Sequence, residues 1–309
     1  MFDLTDPIYS NPDAARAHLE KLHWPHGPVC PRCGSLDGIT KLQGKSTRSG
    51  VYKCNACRKP FSVTVGTVFE DSKIPLNKWL LAFRLMASSK KGMSAHQLHR
   101  SLGVTYKTAW FMAHRIRESM RSTDPVPMGG NGGFVEADET YIGRRKGVDT
   151  KRGGQPHKMK VIALVERSTG MSRAFVVDNV TAKQIEQIVF TNVRRDSVLM
   201  TDEAAYYLST GKEMIAHHAV NHSQDEYVRG IAHTNTIEGY FSIFKRGMKG
   251  IYQHCGEQHL HRYLSEFDFR YTHREATGIN DKDRTYLAIK GARGKRLTYR
   301  RPDGQEARA

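Results

Sequence analysis

Apolar positions recur at helical spacing within residues 73–121, whereas strand patterns begin at residue 134, so pattern alone divides the chain. In the first part, a polar segment holds a short helical stretch near 14–22. Residues 76–86 carry apolar side chains at helical spacing, and two shorter helices are expected before residue 121. Residues 122–133 (STDPVPMGGNGG) break every periodicity and read as a linker. Beyond them, 134–143, 158–166 and 173–177 predict strands, with a turn at Ser168-Thr169-Gly170 and a basic loop over 144–155. Thr181 caps a predicted helix that runs to about residue 193, with Ile185, Ile188 and Val189 on one face. A short buried strand (198–200), a short helix (203–209), a fifth strand (214–220) and a long helix (235–248) complete the pattern.

The order β-β-β-α-β-α-β-α predicts an α/β fold: a ribonuclease-H-like domain with a mixed sheet. The cysteines set the architecture ahead of it. Cys30 and Cys33 form one CxxC pair, Cys54 and Cys57 another, with 20 residues between the pairs. Each pair is a tight turn that can place two thiolates on one metal, and two turns complete a tetrahedral zinc site. Such a metal supplies folding energy to a segment too small for a core of its own. Cys255, with His254, His259 and His261 nearby, lies in a polar, helix-like stretch and reads as ordinary surface or packing residues.

Residues 94–110 (SAHQLHRSLGVTYKTAW) fit a helix-turn-helix. Ser94 and Thr105 suit helix N-caps, Leu98 and Leu102 face a core, Gly103 supplies the turn, and Trp110 with Ile116 gives the second helix a buried side. In that geometry the start of the second helix reaches base edges, which nominates Tyr106, Lys107 and Thr108, with Arg115 and Arg117 as phosphate contacts. A plain helical hairpin has the same pattern.

Charge favours the nucleic-acid reading. Lys and Arg number 48 against 31 acidic residues, and a net charge of +17 calls for a polyanion, with double-stranded DNA the default partner. No apolar run nears the roughly 18 residues of a spanning helix. The first residues (MFDLTDP) lack the basic and apolar regions of a signal peptide. The expectation is a cytoplasmic, nucleoid-associated protein with no membrane partner.

Asp138 and Asp202 each sit in or end an apolar run, and Glu238 lies on an amphipathic helix with 35 residues between it and Asp202. Cleavage and joining of phosphodiesters need an activated oxygen nucleophile and a stabilised leaving oxygen, which two Mg²⁺ or Mn²⁺ ions held by a few carboxylates supply. In the expected fold Asp138 and Asp202 lie side by side. On the helix, Ile237, Phe241, Phe244 and Met248 form one apolar stripe, with Glu238 beside it and Lys245 at nearly the same angle. Asn235 points roughly the same way, so angle alone leaves Asn235 and Glu238 open as third ligand; charge favours Glu238. Glu136, Glu139 and Glu203 are acidic neighbours easily mistaken for ligands.

With these residues in place, the chain resembles the insertion-sequence-1595 family of bacterial transposases. The resemblance rests on LHWPHGPVCPRCG (22–34), GTVFEDS (66–72), Lys78-Trp79, ADETYIG (137–143), Thr201-Asp202-Glu203, HTNTIEG (233–239) and Lys245-Arg246-Gly247. It implies a DDE-type transposase that binds the inverted repeats of its own element, cleaves DNA and transfers a strand to a target. It leaves Asn235 against Glu238 unsettled. Coordinated action on two ends would require a homodimer or higher oligomer on DNA. The competing readings are a DNA-binding regulator with an inactive nuclease-like domain, and a nuclease without strand transfer. The expected organisation is a zinc ribbon with an N-terminal helix (1–72), a helix-turn-helix domain (73–121), a linker (122–133), the catalytic domain (134–275) and a basic C-terminal tail (276–309).

Overall fold

Helix caps and strand alternation place the elements close to where pattern puts them. The computed structural model describes residues 4–123, 125–148, 155–224, 226 and 228–298. The order begins α1 (Pro12–His23), β1 (Ile39–Lys41), β2 (Tyr52–Cys54), β3 (Pro60–Phe61), α2 (Leu76–Ser88), α3 (Ala95–Leu102) and α4 (Tyr106–Met120). It continues β4 (Phe134–Ile142), β5 (Met159–Glu166), β6 (Ser172–Val177), α5 (Ala182–Asn192), β7 (Val198–Asp202), α6 (Leu208–Lys212) and β8 (Ala216–Val220). A short pair, β9 (Val228–Arg229) and β10 (Ala232–His233), precedes α7 (Asn235–Gly247), α8 (Glu257–Thr272) and α9 (Asp281–Lys290).

Two compact units result. One comprises residues 1–89, 93–120 and 281–309, the other 90–92 and 121–280. In the first, β1, β2 and β3 form an antiparallel sheet, and Trp24 packs edge-on against Tyr52 and Phe61. Trp79, Leu80, Phe83 and Met86 of α2 are buried, with Phe69 against Trp79 and Phe83. Ser94 caps α3 by accepting from Gln97 N at 3.1 Å, and Gly103 ends it at φ +59°, where a side chain would be strained. Thr105 accepts from Thr108 N at 3.3 Å at the start of α4.

The C-terminal segment differs from the expected tail. Residues 281–290 are helical, and Arg284 of α9 donates to the Ala87 carbonyl of α2 at 2.6 Å. Its buried face is Arg284, Thr285, Ala288 and Ile289, half polar, so no apolar stripe announces it. Lys295 is also buried, donating to the Ser119 carbonyl. Arg300 and Arg301 of the expected basic tail lie outside the described residues.

The second unit is built on a five-stranded mixed sheet, order β6-β5-β4-β7-β8. The β4-β5 and β5-β6 pairs are antiparallel, while β4-β7 and β7-β8 are parallel. Alternation sorts the two faces. Val135, Ala137, Ile162, Leu164 and Leu199 pack with Ile185 and Val189 of α5. Ile142, Val161, Ala163 and Val165 pack on the other face with Ile237, Phe241 and Phe244 of α7, Met248 just after it, and Leu260, Leu264 and Phe267 of α8. Side chains of α8 cover the open edge at β6: Asp268 accepts from Ala174 N at 2.9 Å and Thr272 from Ser172 N at 3.1 Å. Met128, in the expected linker, is buried in this unit and exchanges backbone hydrogen bonds with Asn192 and Arg194. Among the described residues no helix is long and apolar enough to cross a membrane.

Candidate active site and metal centre

The four cysteines meet. Cys30 Sγ lies 3.7 Å from Cys57 Sγ, and Cys33 Sγ lies 3.7 Å from Cys54 Sγ. All four sulfurs fall within 4.8 Å of one another. A tetrahedron with arms of about 2.3 Å has edges of about 3.8 Å, so the cage has the size zinc requires. Each CxxC turn is closed by a residue in the left-handed region immediately after it: Gly34 at φ +76° and Arg58 at φ +60°. Backbone bonds from Gly34 N to Cys30 O and from Cys54 N to Lys59 O hold the two turns.

The acidic site assembles at the junction of β4 and β7. Their parallel register pairs Phe134 with Val198 and Glu136 with Met200. Continued two residues further, it sets Asp138 against Asp202. Carboxylate oxygens of Asp138, Glu139 and Asp202 all lie within 4.8 Å of one another. Burial, then the charges of Glu139 and Asp202, push Asp138 up to about 8. Burial also raises Glu139, against the effect of its hydrogen bonds from the hydroxyls of Tyr206 and Tyr207. Like-charged groups crowded in a half-buried pocket suit a divalent cation.

Glu139 is the residue that sequence reasoning set aside. Its neighbour Asp138 shares the α7 face with Glu136, and strict alternation would turn Glu139 the other way. The β4-β7 pairing stops at Glu136, and the tyrosine hydroxyls after β7 draw Glu139 into the group. Nothing in the sequence marks those tyrosines as partners.

Glu238, expected as the third ligand, is exposed in the first turn of α7 and accepts from Thr234 Oγ1 at 3.0 Å. It stands outside the 4.8 Å group, yet its charge still reaches Asp138. Asn235 and Lys245 are exposed on the same helix. Glu136 belongs to the scaffold: fully buried, it accepts from Arg167 Nε at 2.5 Å and from Ile237 N at 2.8 Å. A sheet carboxylate thus caps the start of α7 and fixes the helix that carries Glu238.

Of the residues expected at a DNA surface, Tyr106 and Lys107 are exposed and Thr108 is half-buried. Arg115 and Arg117 are not surface groups. Arg117 is 2% exposed, and Arg115 donates to the carbonyls of Val68, Glu70 and Leu297. Both fall on the inward face of α4, where Arg115 satisfies loop carbonyls instead of phosphates. Among the described residues, His254, Cys255, His259 and His261 form no ligand cluster.

Residues 131–272 match the family described as the ISXO2-like transposase domain, and residues 10–60 match the transposase zinc-ribbon domain. The chain belongs to the IS1595 transposase family. The matched ranges contain both sites: the four cysteines lie in one, the acidic residues with α7 in the other. Within this setting the chain is 27% identical over 267 residues to a protein described as uncharacterized in transposable element ISH50 of Halobacterium salinarum, covering 82% of this chain and 88% of that one. Its likeness to a chain in the cryo-electron-microscopy structure of a simian T-cell lymphotropic virus intasome bound to PP2A regulatory subunit B56 gamma is slight: TM-score 0.30, 11% identity. That match covers 62% of this chain and 64% of the other, so the chain spans less than two thirds of it. At that level the likeness says nothing about this chain.

Proposed function

We propose that the chain is a DNA transposase that binds the terminal inverted repeats of its element, cleaves DNA there and joins the freed 3′-hydroxyl to a target. The observation that carries this reading is the convergence of Asp138, Glu139 and Asp202 where β4 and β7 lie side by side. Asp138, Asp202 and Glu238 would hold two divalent ions, magnesium or manganese, which when bound supply positive charge at the attacking and leaving oxygens. The remaining chemistry falls to the chain. Glu139, anchored by two tyrosines, keeps the cluster's geometry as charge accumulates. Glu136 holds α7 so that Glu238 faces the same end of the sheet. Asn235 is the alternative to Glu238 as third ligand, and Lys245, two turns further along α7, would meet a phosphate.

In this reading α3 and α4 form a helix-turn-helix, with Tyr106, Lys107 and Thr108 toward base edges. Zinc on Cys30, Cys33, Cys54 and Cys57 gives the ribbon its fold. Two copies bring two element ends together on the nucleoid, in the cytoplasm. The test is Asp202→Asn. With a mapped element end as substrate, the variant should bind as the wild type does and neither cut nor join. Undiminished cutting would remove Asp202 from the site. Cutting by the wild type with no joined product, whatever target is offered, would favour a plain nuclease, which uses the same carboxylates.

A further inference from the structure

Strand β4 and helix α7 run together away from the acidic cluster. At the near end Ile237 N is bound to Glu136 at 2.8 Å; at the far end Ile142, Met159 and Met248 share one apolar cluster. Just past that far end lies a groove of about 1080 Å³. Its lining holds Arg144, Lys146, Lys158 and Lys249 and, among the described residues, no carboxylate. The neighbouring Arg145, which does not line it, is tied to Glu257 at 2.9 Å. The four lining cations, by contrast, make no ion pair and no side-chain hydrogen bond among the described residues. Four like charges facing one cavity repel one another, and a polyanion relieves them.

We infer that this groove holds phosphates of the DNA strand whose scissile bond lies at the acidic cluster; the inference rests on the function proposed above. Two independent rulers give the spacing. From Asp138 to Gly143 along β4 is about 16 Å at ~3.3 Å per residue. From Glu238 to Lys249 along α7 and the π-helical turn after it is also about 16 Å at ~1.5 Å per residue. One DNA strand advances about 3.4 Å per nucleotide, so the groove takes phosphates roughly five nucleotides from the cut. Lys245 lies seven residues after Glu238 and nearly in line with it, some 10 Å along, at about the third nucleotide. The track therefore runs from Glu238 past Lys245 to Lys249 and the side of the groove formed by Arg144, Lys146 and Lys158.

The test uses the full chain and a fluorescently labelled duplex of about 30 base pairs, with affinity followed by anisotropy between roughly 50 and 200 mM salt. Two double variants each remove two charges. Lys146→Gln with Lys249→Gln strips the groove, while Lys183→Gln with Lys212→Gln strips exposed lysines of α5 and α6. Each lost phosphate contact lowers the slope of log affinity against log salt by about 0.9, so the groove pair should lose close to two units and the other pair none. Equal slopes in the two pairs overturn the groove and leave the transposase reading standing. A wild-type chain that fails to bind the duplex at all overturns both.

Discussion

The two sites of this protein solve opposite electrostatic problems. The ribbon's four sulfurs come from two short turns, each closed by its own backbone bonds, and they stand 3.7 Å apart in pairs before any ion is considered. The acidic cluster draws on strands 64 residues apart in sequence and gathers like charges that burial makes costlier. One cage is local; the other is long-range and half-buried. A closed thiolate site serves folding, whereas an open carboxylate site keeps positions for water and substrate.

The sharpest way to break this contrast is to remove metal. Chelation, or Cys54→Ser, should unfold residues 27–66, because a structural zinc site carries on the order of 10 kcal/mol of folding free energy. Unchanged circular dichroism and unchanged thiol reactivity after chelation would refute the cage. Asp138→Asn should act in the opposite sense. It relieves like-charge crowding, so in chelator the melting temperature rises by a few degrees, while divalent-dependent cleavage falls about a thousandfold, or ~4 kcal/mol. A variant less stable than the wild type without metal would show that the cluster is not strained by its own charge.

Asp268 sharpens the comparison from outside either site. Burial pushes it up to about 7, although Tyr240 Oη and Ala174 N donate to its charged form. Because the folded value is raised, the unfolded chain ionises first, and stability falls as pH climbs from about 4 to about 7. Asp268→Asn should remove roughly 3 kcal/mol of that fall at ~1.4 kcal/mol per unit. Denaturant midpoints at pH 4 and pH 7 measure it, and parallel wild-type and variant curves would count against the assignment. The smallest effect concerns the ribbon turns. Arg58 occupies a left-handed position that Gly34 occupies in the other turn, so Arg58→Gly should stabilise by up to about 1 kcal/mol in thermal melts of the zinc-loaded chain, and a loss would argue against it.

Much of this was legible in residue order. Strand alternation and the Thr181 cap locate β4, β5, β6 and α5 within a residue or two of the observed bounds. The apolar stripe Ile237-Phe241-Phe244-Met248 lands in the core as its period requires. Misreadings cluster where polar groups do structural work. Arg115 and Arg117 look like surface charges until the carbonyls of Val68, Glu70 and Leu297 are seen around Arg115. Helix α9 hides because half of its buried face is polar. Glu139 hides behind Asp138 because alternation assigns it to the other face.

By itself the sequence determined the two CxxC pairs, the order of elements along the chain and the apolar runs that carry Asp138 and Asp202. Each depends on short-range spacing or on a period that the backbone imposes. Only the tertiary structure decided that Glu139 joins the acidic group, that Glu136 caps α7, and that four cations without an ion pair among the described residues share one groove. Those facts depend on contacts between side chains far apart in the chain, which no local period encodes.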